Sequence, residues 1–110
     1  TSERAEQLDK TTFADFETIK RTVKNAATEA VGFVGEARYM NNEIQSMVIN
    51  ANLNIKSSTE LMYLTSIIAD AIDTKFTYDF QISVLVNSQD QLQAVIVKDK
   101  GQSSKSTYLY

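Results

Sequence analysis

Three carboxylates, Asp70, Asp73 and Asp79, form the densest group of side chains in this chain with chemistry to offer. Asp70 and Asp73 lie one helical turn apart, a spacing that suits a hard divalent cation or an acid–base pair. The sequence has no Asp-x-Asp-x-Asp-Gly loop and no third ligand at a fixed distance, so solvation of a helix end is the better reading. The chain contains no His and no Cys. That removes the imidazole base, the Ser-His pair, the thiol nucleophile and thiolate or His-containing zinc sites. Catalysis would have to rest on carboxylates, Lys or Tyr alone. The expectation is no catalytic residue, no metal and no cofactor.

The aromatic residues make a second candidate group. Phe76, Tyr78, Phe80, Tyr108 and Tyr110 together could offer a stacking surface for bases or sugars. No Arg is interleaved among them, and core packing is the commoner use. Gly32-Phe33-Val34-Gly35 lies within a helical pattern, so it does not form a phosphate loop after a strand. Charge is spread evenly and is mildly acidic. Residues 1–56 carry seven basic and eight acidic side chains, and residues 57–110 carry four and six, for a net −3. No basic face is concentrated, which disfavours nucleic acid and anionic membrane surfaces.

The elements that must position these residues are dominated by one pattern. Every seventh residue from Phe16 is apolar: Phe16, Val23, Ala30, Ala37, Ile44 and Ala51. The positions three further on, Ile19, Ala26, Phe33, Met40 and Met47, are apolar as well. This heptad stripe predicts a long amphipathic helix over residues 13–52, after a polar lead-in at residues 1–12 that Thr12 and Asp15 would cap. Gly32 and Gly35 fall on the face opposite the stripe. Ala27, Val34 and Val48 widen it beyond a coiled-coil seam. Ser57 and Glu60 form a capping box for a second helix over 57–75. Alternation from Phe76 onward then predicts antiparallel strands through residues 76–110, with turns near Gln89-Asp90 and at Gly101.

The expected architecture is therefore α+β in a single domain, residues 1–110. A long N-terminal helix and a shorter second helix would pack on a small three-stranded antiparallel β-meander. The small and flexible stripe residues Ala26, Ala30, Phe33, Ala37, Met40, Ile44 and Met47 are the candidate interaction face. They would serve self-association or a protein partner, with an open sheet edge as a second surface. Glu29, Glu36 and Glu43 beside the stripe read as a solvated face. The chain opens Thr-Ser-Glu-Arg without an initiator Met, and the expectation is that a preceding segment has been removed, by natural processing or by truncation; a signal or anchor there would leave no trace. Any membrane contact would run through that absent segment, and an extracytoplasmic or secreted location is favoured. In the order of its elements the chain is similar to a truncated pilin-type subunit and to the extracytoplasmic sensor domain of a membrane receptor. The functional expectation is a non-catalytic assembly or interaction domain. The alternative is a ligand-sensing domain with its site between helices and sheet.

Overall fold

Thr12 to Val23 place an apolar residue on one helical face at each turn, and helix α1 runs from Ser2 to Ala26. It goes no further. The computed structural model describes residues 2–27, 32–55, 57–76 and 79–109, without the side chains of 2–9. Within it, residues expected in the second half of a long helix form a β-hairpin instead: strand β1 (Gly32–Met40) and strand β2 (Glu43–Leu53). Helix α2 (Ser58–Lys75) follows, and then strands β3 (Gln81–Ser88), β4 (Gln91–Lys98) and β5 (Lys105–Tyr108).

The stripe misleads because a turn and a bulge keep it in phase with the sheet. Asn41 and Asn42 both take left-handed backbone, with φ of 53° and 64°, and close a two-residue turn. Asn tolerates that region better than most residues, and such turns match the twist of the flanking strands. On β1, Phe33 and Ala37 share the inner face. The pairing then slips between Arg38 and Tyr39, so that Arg38 faces Ser46 while Tyr39 faces Ile44. This one-residue bulge lets Ile44, Met47 and Ala51 all return to the inner face. They are buried, as are Ile49 and Leu53 between and beyond them. Val34 and Val48, which had widened the helical stripe, instead sit on the outer face at 57% and 36% exposure.

The sheet is accordingly five-stranded and mixed, in the order β1-β2-β3-β4-β5, and not a three-stranded antiparallel meander. Pairing of β2 with β3 is parallel, and every other pairing is antiparallel. A parallel pair needs a crossover long enough to carry the chain back, and α2 supplies it. Ser57 caps α2, its Oγ accepting from the Glu60 amide at 3.3 Å. Leu64, Ile68 and Ile72 are fully buried beneath it. Both helices cover the same face of the sheet and pack against each other. Ser88 pins the crossover where it leaves β2: its Oγ accepts from Ile55 N at 2.9 Å and donates to Ile55 O at 2.7 Å. At the far end of α2, the Asp73 carboxylate accepts from both the amide and the hydroxyl of Ser104, each at 2.8 Å, and holds the β4–β5 loop. Gly101 supplies the positive φ, 72°, that this loop requires.

No described helix is long and apolar enough to cross a membrane. Ile68, at the centre of the helix–sheet interface, reports on the whole packing. Ile68→Ala should cost about 2–5 kcal/mol through lost transfer energy and a residual cavity. At about 4 °C per kcal/mol for a domain of this size, the melting temperature should fall by ~8 °C or more. A melt displaced by only a degree or two would mean that α2 does not pack as described.

Candidate functional site

The carboxylates Asp70, Asp73 and Asp79 are not gathered into a cluster with a further ligand. Asp73 is engaged with Ser104, and among the described residues no cluster of three metal-ligating side chains occurs. The aromatic group disperses as well. Phe76 and Phe80 are buried in the core at 0% and 5% exposure, Tyr108 lies on the edge strand, and Tyr78 and Tyr110 fall outside the described residues.

The stripe residues fare differently. Ala26 packs partly buried on the core from the last turn of α1, and Ala30 falls outside the described residues, as does Glu29. Phe33 is 3% exposed on β1, and Met40 is 63% exposed beside the hairpin turn. Ala37, Ile44 and Met47 come together at a groove of about 210 Å³ between α1 and the β1–β2 hairpin. No continuous helix carries these residues. The hairpin does, and α1 lies across it.

Thr12, Phe13 and Phe16 supply the helical wall of this groove. The Phe16 ring meets the Phe33 ring at a centroid distance of 5.3 Å and a tilt of 35°, within the favourable range for aromatic pairs. Gly35 makes this seating possible. A Cβ built there would fall 2.8 Å from Phe16 Cε1, closer than side chains tolerate. Ile44 and Met47, each 7% exposed, form the floor, whereas Phe13 and Tyr39 stand 65% and 51% exposed at the mouth.

One buried polar side chain lies beside these apolar walls. Thr12 is 2% exposed, and its hydroxyl is buried with no hydrogen-bond partner among the described residues. It caps nothing, because it lies in the middle of α1. A buried unpaired hydroxyl costs about 1–3 kcal/mol. The cleft between the two helices is larger, about 360 Å³, but its threonines are satisfied within their own helices. Thr18, Thr22 and Thr74 donate to Ala14 O, Thr18 O and Asp70 O at 3.0, 3.0 and 2.8 Å. Among the described residues, then, the buried unpaired hydroxyl lies beside the hairpin groove and not in the helix cleft.

Sequence similarity places the chain in a family. Residues 1–104 match the CamS sex pheromone cAM373 precursor family. The chain belongs to that family. No curated protein matches the sequence significantly. Solved CamS-type structures share the fold. A sex pheromone precursor from Lactobacillus salivarius superposes with a TM-score of 0.81 at 18% identity, over 88% of this chain and 29% of its own. The C-terminal domain of the sex pheromone staph-cAM373 precursor from Staphylococcus aureus gives 0.78 at 15% identity, over 100% and 33%. A second structure of a sex pheromone staph-cAM373 precursor gives 0.77 at 20% identity, over 87% and 34%. The chain thus spans about a third of each of these CamS-type chains.

Thr12, Phe13 and Tyr39 were not candidates on sequence grounds. Their signal is a helix start misplaced by eleven residues and a hairpin hidden inside a heptad. The seating of Phe16 on Gly35 is testable. Gly35→Ala should displace the ring and cost about 1–3 kcal/mol by overpacking, read as a lower urea midpoint at unchanged slope. An unchanged midpoint would show that the ring does not rest on this strand.

Proposed function

We propose that this chain is a non-catalytic interaction domain of a pheromone-precursor protein, working outside the cell. The observation that carries the reading is the groove between α1 and the hairpin. Its floor is buried, and its mouth exposes two aromatic side chains, Phe13 and Tyr39. Exposed apolar groups gathered round a concavity mark contact surfaces, and aromatic residues are enriched at the centres of interfaces. The family name supports the location: a pheromone acts between cells, so its precursor is made for export. Ligand sensing is a second reading, favoured by the concave, mostly apolar shape of the groove.

A photo-crosslinking amino acid placed at Phe13, in the protein made by its own cells, tests the first reading. The expected result is a discrete adduct that is absent when the same group replaces Thr107 on the edge strand. Adducts at both positions, or at neither, would overturn the groove as the contact surface. Protease added to intact cells should cut the domain. Full protection would refute the location.

A further inference from the structure

We propose that the outer face of the sheet, the one turned away from both helices, is where two copies of this chain associate. The copies pack face to face about a two-fold axis along β3, and Glu36 of each lies over Lys105 of the other. The hairpin groove lies on the inner side of the sheet, so this contact does not depend on the reading of that groove.

Strand register fixes what the outer face carries. One row of residues crosses all five strands as Glu36, Val48, Ser83, Val97 and Lys105. The row beside it reads Val34, Asn50, Leu85, Val95 and Thr107. Val34 and Val48 are 57% and 36% exposed, and Leu85, Val95 and Val97 are half-buried. Direct cross-strand neighbours stand about 5 Å apart and diagonal ones about 7–8 Å, which joins these five aliphatic side chains into one patch. The open face of a one-sided sheet is ordinarily polar. This one carries an apolar centre that none of the described elements covers.

The charges say what fits it. The first row reads the same from either end except for the sign of its last members: carboxylate, valine, serine, valine, ammonium. Strands about 4.8 Å apart set Glu36 and Lys105 about 19 Å from each other, too far to pair within one copy. A half-turn about an axis parallel to β3, over Ser83, exchanges β1 with β5 and β2 with β4. It sets Glu36 against Lys105, Val48 against Val97 and Ser83 against its own counterpart, and each unlike pair occurs twice. In the second row it sets Leu85 against Leu85. One step further along β1, Arg38 comes over the start of the β4–β5 loop, where Asp99 accepts from Gln81 Nε2 at 2.6 Å. An axis laid across the strands on the same row would put Glu36 on Glu36 and Lys105 on Lys105. Charge complementarity therefore selects the axis along the strands. Sheets packed in this way stand about 10 Å apart, a gap that a glutamate and a lysine together span. Five strands over about seven residues make a face of roughly 24 by 23 Å, or about 1,100 Å² counted over both copies. That is the low end for a specific interface, so the dimer comes apart on dilution.

Light scattering of the chain across a wide range of concentration tests this. The expected result is a monomer that passes to a dimer and no further, because a closed two-fold contact leaves no second face to extend it. Glu36→Lys should weaken the dimer at least about tenfold, since it makes both charge pairs repulsive. Lys105→Glu should do the same, and the two reversals together should restore association. Both residues are exposed, so each variant should melt with the parent, and lost association cannot be ascribed to unfolding. Val48→Lys would bury an ammonium against Val97 and should abolish the dimer. A strict monomer at every concentration would overturn the proposal and leave the face to solvent or to another part of a longer polypeptide. A dimer that the single reversals leave unchanged, or that the double reversal fails to restore, would overturn the axis and the pairing. None of these failures touches the groove, since a Phe13 adduct to another protein would stand regardless. Thr107 lies on the outer face, so a Thr107 adduct of twice the chain's mass reports this contact and not the groove's partner.

Discussion

The parallel pairing of β2 with β3 is the constraint that organises this molecule. It runs from Ser46 opposite Gln81 to Leu53 opposite Ser88. A hairpin cannot make this connection, so the chain must cross over the sheet between the two strands. The crossover is α2, and its direction follows from that need. α2 occupies half of one sheet face and leaves the other half for α1. The groove is a by-product of this division. α1 meets the hairpin edge of a sheet whose centre is already taken, through Thr12, Phe13 and Phe16.

Some of this fold is legible in the sequence, and the reason differs from element to element. The start of α2 is visible because Ser57 and Glu60 are local signals three residues apart, and the Ser57 Oγ accepts from the Glu60 amide. The alternation of Ile82, Val84 and Val86 reads as a strand because nothing in it competes with period two. The β1–β2 region fails for a specific reason. Steps of three and four residues along a helix land on one face. The same steps along a hairpin also land on one face, when a two-residue turn and one bulge absorb the odd residue. Both devices sit at residues 38–46. The local evidence against a helix was Asn41-Asn42 together with two glycines. The periodicity, which the hairpin satisfies equally well, masks it.

The groove was half legible for the same reason. Ala37, Ile44 and Met47 were singled out as a contact face on one element and prove to line a concavity on another. Apolar patterning reports which residues turn inward, and it does so whether the backbone is coiled or extended. It cannot report what lies across from them. Thr12, Phe13 and Tyr39 depend wholly on that tertiary placement. Thr12 in particular carries its meaning only through burial, since the same residue at a helix start would be an ordinary cap.

The two hairpins also set an order of events during synthesis. Each closes over a two-residue turn, at Asn41-Asn42 and Gln89-Asp90, so each can form as soon as its own residues are made. β2, however, must wait for residues 81–88 before its second edge is paired. Until then a bare strand with Met47, Ile49 and Ala51 on one side presents unpaired amides and carbonyls. The nascent chain thus passes through an interval in which it can pair with another copy of itself. The length of that interval is the time taken to make α2 and β3. A slow stretch of translation there would lengthen the exposure, and a fast one would shorten it.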